Sequence, residues 1–461
     1  LQLNESPTAQ QLQPAMERAI ALATDKILRL EARWKTTDGA PVFTVAGRYT
    51  ARSWTQWTQG FQYGRGLICF ELNGDPRLFE TAKRHIVDDM AEHLTHMGVH
   101  DHGFNNISTY GHLRRLMLAG RIPYDQGEMH FHELALKISG AVQAARWTPL
   151  DDGLGYIHSF NGAHSLFIDT IRTLRICGLS HTLGHALLGE QDERVNLLAR
   201  LLAHAKTSSR YNLYFGEGRD LYDTPNLRGR TVHEAVFNVK SGAFRCPSSQ
   251  QGFSPFTTWT RGLAWAMCGY AEQLEFIHAL PASEFDRDGV PAKAVAAAML
   301  ERAARATCDF YIDCAAAADG ICYWDTGAPE LHRLGDWRAR DADPYNDHEP
   351  VDASASAIAA QGLLRLGHHL GMDGMRYTQA GWTVLARLLE PPYLSTDPAH
   401  EGLLLHSVYH RPNGWDYIPP GAKVPCGESS MWGDYHLLEA VLLASAIARG
   451  GFYTFFDGGS R

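Results

Sequence analysis

Trp259, Arg261 and Trp265 stand in one stretch, QGFSPFTTWTRGLAWAMCG from Gln251 to Gly269, spaced to set an arginine and two indoles beside each other on a helix. Flat aromatic faces pack on the apolar faces of pyranose rings. A planar guanidinium holds a carboxylate through two parallel hydrogen bonds, which lysine cannot imitate. The combination suits a sugar acid. The competing reading is a plain core helix: Gly262, Ala264, Ala266 and Gly269 strip bulk from it, as a crowded inner position requires, but a bare core has no use for Arg261.

Other chemistries leave weaker marks. The 23 histidines include His130-Phe131-His132-Glu133 and His100-Asp101-His102, which look like ligand pairs, but neither completes HExxH or another ligand set. Neither GxGxxG nor a P-loop occurs, so we expect no metal and no cofactor.

The elements that must carry these residues recur. A helix rich in small and apolar residues is followed by a turn of Gly, Asp, Asn or Pro and then by a charged amphipathic helix. The clearest copy runs from Trp57 to Leu94, with the turn Asn73-Gly74-Asp75-Pro76 placing a cap and a first-turn proline at the second helix. Further small-residue helices begin near Asn105, Phe167, Trp259, Ser354 and Met431, which makes six. Partners are predicted at Asp192 to Ala205, Pro291 to Tyr311 and Tyr377 to Leu389, and the amphipathic stretch Ala15 to Leu30 supplies the partner that the sixth lacks. First and last elements then pair and close a ring. The expected fold is all-α, an (α/α)6 barrel of six hairpins forming one domain over residues 1–461. An open α-solenoid uses the same hairpins. The ring is preferred because Trp57, Asp101, Asp169, Arg261, Asp352 and Trp432 fall near the starts of the inner helices, on one side of a barrel. Short strands are expected only at pieces such as Thr231 to Phe237 and Gly402 to Tyr409.

Composition sets the outer limits. A chain of 461 residues, 45% hydrophobic and 20% charged, buries a large core. A formal net charge of -9 without a basic stripe argues against nucleic acid, and no apolar run approaches membrane-spanning length. Eight scattered cysteines without CxxC pairs read as reduced core thiols. The start at Leu1, without a methionine, fits both a removed leader and a later starting point, so cytoplasm and periplasm both stay open.

In chain order, WTQGF (Trp57 to Phe61), HDHGF (His100 to Phe104), Ile168-Asp169, His204, Gln251-Gly252, WTRGLAW (Trp259 to Trp265), YWD (Tyr323 to Asp325), DASASAI (Asp352 to Ile358), HSVYHRP (His406 to Pro412) and MWGDY (Met431 to Tyr435) form a series. That ordered series resembles the unsaturated glucuronyl hydrolases of glycoside hydrolase family eighty-eight. The resemblance implies removal of the 4,5-unsaturated uronic acid that a polysaccharide lyase leaves at the non-reducing end of an oligosaccharide. A carboxylic acid protonates C4 of the enol ether, water adds at C5, and the hemiketal opens and expels the aglycone, unlike hydrolysis by two opposed carboxylates.

Carried over position by position, Asp169 is the acid/base, with burial expected to raise its pKa. Asp101 is a second carboxyl that keeps Asp169 protonated and bonds sugar hydroxyls. Without the motif set, Asp101 reads as a helix cap and Asp169 as a structural carboxylate. Arg261 and His204 become substrate contacts, Gln251 bonds sugar or water, Trp57, Trp259 and Trp265 form ring walls, and His100 orients Asp101 or touches substrate. For His204 an ordinary outer-helix histidine is an equal alternative.

Three departures put the sugar in doubt. Arg172 and Arg175 follow the acid/base position, where they answer either an extra anionic group on the substrate or outward ion pairs. The upstream aromatic wall is Phe160. The loop that reads sulfated substrates is replaced by His410-Arg411-Pro412-Asn413-Gly414-Trp415. The related unsaturated rhamnogalacturonyl hydrolases share the barrel and the chemistry. A polysaccharide lyase or sugar epimerase on the same barrel, and a non-enzymatic α-solenoid interaction protein, are the alternatives.

Overall fold

The computed structural model describes residues 1–3, 7–52 and 56–456. Among these residues, the helices that build the body are α1 (Ala9–Arg33), α2 (Gln59–Asn73), α3 (Pro76–Asp89), α4 (102–118), α5 (Gln126–Ala145), α6 (170–182), α7 (Leu197–Tyr211), α8 (Thr260–Ala279), α9 (Lys293–Phe310), α10 (Ala353–Leu370), α11 (Met375–Leu388) and α12 (Met431–Ala448). α4 is assembled from His102–Asn105, a π-helical turn Ile107–Gly111 and His112–Leu118, and α6 from Thr170–Thr173 and Arg175–Thr182.

Even-numbered helices are inner and odd-numbered ones outer. In α12 every side chain from Met431 to Ala444 is buried, whereas α3 buries only Leu78, Ala82 and Ile86 on one stripe. Each inner helix packs on the next, and α12 packs on α2, so the series closes into an (α/α)6 barrel. α1 lies against α2, α3 and α12, joining the two ends of the chain.

Sequence chemistry starts these helices where expected. Asp75 accepts from the Arg77 amide, with Pro76 in the first turn of α3. Thr8 and Gln11 cap α1 reciprocally, and Ser430 caps α12. Small residues set the close approach of the inner ring. A Cβ on Gly60 would come within 2.4 Å of the Asn105 backbone, and one on Gly103 within 2.1 Å of the Thr173 carbonyl oxygen, so α2, α4 and α6 touch backbone to backbone.

Two expectations change in detail, and a third holds. The outer helix read from Asp192 begins at Leu197, because Asn196 accepts from the amides of Leu198 and Ala199 and fixes the cap there. Gly402 to Tyr409 forms isolated bridges at Leu404 and Leu405 instead of a strand. The piece at Thr231 to Phe237 does contain a strand, and it matters for the site. Strands β1 (Ser165–Phe167), β2 (Glu234–Phe237) and β3 (Phe244–Ser248) form an antiparallel sheet in that order. The His233 carbonyl accepts from the Ile168 amide at 2.9 Å, so the sheet fixes the residue just before Asp169.

Arg172 and Arg175 answer neither of the expected purposes. They point into the barrel and are wholly buried. Arg172 meets Glu272 at 2.5 Å and Glu439 at 3.0 Å, and Arg175 reaches the same two carboxylates at 3.4 and 3.3 Å. Arg365 joins through Glu272 at 3.7 Å and Glu275 at 2.7 Å. Three arginines and three glutamates thus balance below the cavity described next. The cysteines are all unpaired; Cys246 is exposed and Cys314 and Cys426 half-buried, so only the other five are core thiols.

Candidate active site

The N-terminal ends of the inner helices surround a cavity of about 510 Å³. Trp57 enters it just ahead of α2, His100 and Asp101 ahead of α4, Asp169 ahead of α6, and Trp259, Arg261 and Trp265 from the start of α8. Phe160 and Gln251 complete the wall, so nine of the ten residues proposed from sequence converge. A larger cleft of about 870 Å³, lined by Arg114, His181 and Arg287 among others, lies at the opposite, C-terminal ends of α6 and α8. None of the motif residues reaches it.

His204 is the exception. It lies outside the cavity lining, wholly buried in α7, where its Nδ1 accepts from the Ile157 amide at 3.0 Å. Burial lowers its pKa to about 3, so it stays neutral behind the wall. An outer helix cannot bring a short ring through the inner layer. His233, which the sequence reading took only as part of a strand, comes closer: its ring stands edge-on to Trp259 at 4.9 Å between centroids and packs on Phe167. Its Nδ1 accepts from the Gln250 amide at 3.0 Å, and burial drops its pKa to about 4.

The two site aspartates each precede an inner helix, yet neither side chain caps it. Asp352, in the same position before α10, does cap, accepting from the Ser354 and Ala355 amides. Asp101 and Asp169 therefore keep their oxygens for other partners, and the helix-cap alternative for Asp101 fails. His100 Nε2 lies 3.0 Å from Asp169 Oδ1 and 3.9 Å from Asp101 Oδ1, so one imidazole serves both carboxyls. Gln143 fixes this histidine from behind by donating to the His100 carbonyl at 2.8 Å.

The direction of one pKa shift differs from the expected one. Burial raises the Asp101 pKa and the neighbouring Asp169 adds to it, outweighing His100. Burial pushes Asp169 upward too, but the charge and hydrogen bond of His100 overcome it and leave Asp169 below the ordinary carboxylate value. Burial disfavours a charged His100, while Asp101 and Asp169 more than compensate and raise its pKa. The Asp169 shift is thus opposite to the one expected from burial alone, and its cause is the His100 ring hydrogen-bonded to it at 3.0 Å.

Arg261 also differs. Its Nη1 donates to Asp352 at 2.7 Å and to the Val408 carbonyl at 2.5 Å, and its Nη2 to Gln251 at 2.9 Å and the Tyr409 carbonyl at 2.7 Å. Four of the five guanidinium N–H groups are thereby engaged inside the protein, and only the Nε–H remains outside this set. The guanidinium lies between Trp259 at 4.7 Å and Trp432 at 5.0 Å. A free fork for a carboxylate is not what the structure holds.

Aromatic rings build the remainder. Trp57 stacks on Trp432 at 5.1 Å, Trp265 packs on Phe104 at 4.8 Å, and Phe160 stacks on His100 at 6.1 Å. The segment between α11 and α12 adds Tyr409, His410, Asn413 and Trp415 to the wall. Tyr409 and His410 belong to the HSVYHRP motif, whereas Asn413 and Trp415 lie in the stretch that departs from the family pattern. Asp416 anchors the segment by accepting from the amides of Tyr409 and His410.

No family model matches the chain. An unsaturated glucuronyl hydrolase from Bacillus sp. (strain GL1) is 26% identical over 408 residues, spanning 86% of this chain and 88% of that protein. The chain is a relative of the unsaturated glucuronyl hydrolases. Solved structures agree in fold: a heparin-specific unsaturated glucuronyl hydrolase superposes with a TM-score of 0.71 at 20% identity, covering 95% of this chain and 98% of that one. The Bacillus sp. GL1 unsaturated glucuronyl hydrolase, described as responsible for glycosaminoglycan degradation, gives 0.65 at 21% identity over 95% and 97%. The kinship with the unsaturated glucuronyl hydrolases makes the chain a glycoside hydrolase. No helix among the described residues is long and apolar enough to cross a membrane.

Proposed function

We propose that the chain hydrates the C4=C5 enol ether of a 4,5-unsaturated uronic acid at the non-reducing end of lyase-generated oligosaccharides, releasing that sugar from its aglycone. The observation that carries this reading is the His100–Asp169 unit. It is a carboxyl and an imidazole sharing one proton over 3.0 Å at the floor of a tryptophan-walled cavity. The unit delivers its proton to C4, and positive charge develops at C5 with help from the ring oxygen. Water adds at C5, and its proton returns to the unit. The hemiketal then opens by cleavage of the C5 to ring-oxygen bond, and the hemiacetal left at C1 collapses and expels the aglycone. One acid/base group therefore serves both proton transfers.

Asp101, whose pKa burial raises, bonds sugar hydroxyls. Trp57, Trp259, Trp265 and Phe160 pack on the ring faces. The substrate carboxylate faces the inner-helix N-termini and the Arg261 Nε–H. Gln251, whose Oε1 is fixed by Arg261, keeps its amide NH2 for the sugar or the attacking water.

The test follows ultraviolet absorbance of a panel of lyase-generated unsaturated disaccharides. The enol-ether band disappears under this chemistry. A lyase acting on intact polysaccharide creates the band, and a binding solenoid leaves it unchanged. In heavy water the product carries deuterium at C4, and a product without solvent hydrogen there refutes the mechanism.

A further inference from the structure

Adjacent in the chain to the cavity lining is an aromatic surface that neither the proton-transfer unit nor the ring walls use. The segment from Gln251 to Trp259 has both ends in the cavity lining, and between them stand Phe253 and Phe256, each close to half exposed. Tyr222, from the loop 216–225, lays its ring on Phe256 with centroids 4.1 Å apart and planes at 29°. Leu221 beside it is 92% exposed.

Both supports are fixed. The Asp223 carboxylate accepts from the amides of Gly216, Glu217 and Arg219, Arg230 donates to the Pro255 carbonyl, and Asp325 accepts from the Phe253 amide. Rings held out to water on braced loops form a prepared contact surface, because scattered exposed apolar groups need no such bracing. Continuity with the cavity decides what covers it. The same short segment that supplies Gln251 and Trp259 to the cavity supplies Phe253 and Phe256 to this surface, so a molecule leaving the cavity on that side meets them.

We propose that Tyr222, Phe256 and Phe253 form a stacking platform for the sugar units on the reducing side of the substrate, so that the chain prefers unsaturated oligosaccharides longer than a disaccharide. The inference rests on the hydrolase reading above. Pyranose C–H faces pack on aromatic faces with little demand on sugar identity, so the platform selects for length more than for linkage.

The experiment compares kcat/KM for an unsaturated disaccharide and tetrasaccharide prepared from the same polymer, using wild type, the Tyr222→Ser/Phe256→Ser double variant and Tyr222→Phe. The double variant is expected to lose about tenfold on the tetrasaccharide while keeping its disaccharide rate, which also reports that it is folded. Tyr222→Phe keeps both rates. Equal losses on the two substrates, no loss on either, or a dimer that dissociates in the double variant while tetrasaccharide kinetics stay unchanged overturns the platform and leaves the hydrolase reading standing. A wild type inactive on every unsaturated substrate overturns the hydrolase reading, and the platform with it.

Discussion

Replacing Arg261 by lysine separates two jobs that the residue could do. If the guanidinium were a free carboxylate reader, Arg261→Lys would raise KM and leave stability alone. The structure makes a different demand. Arg261 is 2% exposed, donates four hydrogen bonds, and neutralises Asp352, which is itself fully buried. A lysine ammonium keeps the charge but offers donors from one point, so it satisfies Asp352 and at most one or two of the other acceptors. Hydrogen bonds to charged groups contribute about 1.5–3 kcal/mol each, and breaking a buried pair outright costs about 3–5 kcal/mol. Because lysine retains part of the pair, we expect a loss of about 3 kcal/mol in unfolding free energy, read as a lowered urea midpoint at constant slope. KM for an unsaturated disaccharide rises at the same time, since the Val408 and Tyr409 carbonyls that Arg261 anchors belong to the segment carrying the cavity wall. Asp352→Asn, which never touches the cavity, should show the stability loss as well. An unchanged midpoint in Arg261→Lys, with only KM affected, refutes the locked-network account.

Asp169→Asn should lower turnover by about 10²-fold or more with substrate binding retained, and near-normal activity would move the acid role elsewhere. His100→Gln removes the shared proton. Because the His100 pKa is raised, wild-type activity is present below that pKa and lost as pH rises through it, and this basic limb should vanish in the residual activity of the variant. Stability should fall in acid. Burial holds His93, His102, His132, His233, His406 and His410 near about 4, and His204 and His436 near about 3. Below the ordinary histidine value of 6.5 the unfolded chain takes up protons that the folded one refuses, so stability drops as pH falls from about 6.5 toward 4. Glu275, at about 7, and Asp325 and Asp416, at about 6, act in the opposite sense but are fewer, and a fold equally stable at pH 4.5 and 7 by denaturant titration would contradict this. Glu439→Gln should destabilise by about 3–5 kcal/mol in the same titration, since it leaves Arg172 and Arg175 short of a counter-charge; a change below 1 kcal/mol would show water reaching the cluster.

The barrel was legible because inner and outer helices obey different rules. Gly60 and Gly103 are readable as small residues where two backbones must touch, and Asp75-Pro76 marks a helix start without tertiary context. Convergence of the site followed from the same logic, since residues at the starts of inner helices share one end of a ring. What the chain order hides is pairing across the ring. Nothing near Arg261 in sequence announces Asp352, 91 positions away, or the Val408 carbonyl 147 positions away, so the guanidinium was read as free when it is engaged. The same blindness predicts an upward pKa shift for Asp169, because the imidazole that holds it down comes from 69 residues upstream. His233 gave no signal at all: a lone histidine in a short strand has no spacing partner to mark it.

The buried charges have a further consequence for how the repeats hold together. α6 contributes Arg172 and Arg175, α8 Glu272 and Glu275, α10 Arg365 and α12 Glu439, so no inner helix carries a balanced share. In an ordinary array of hairpins each unit stabilises mainly its neighbours, and ends fray while the middle stays folded. Here the departure of any one of these four helices strands unpaired charge in a dry interior, a penalty felt across the ring. Modularity in sequence is therefore exchanged for indivisibility in stability. The barrel should melt in a single step, and a hairpin exchanged with that of a relative should be tolerated only when its countercharges travel with it.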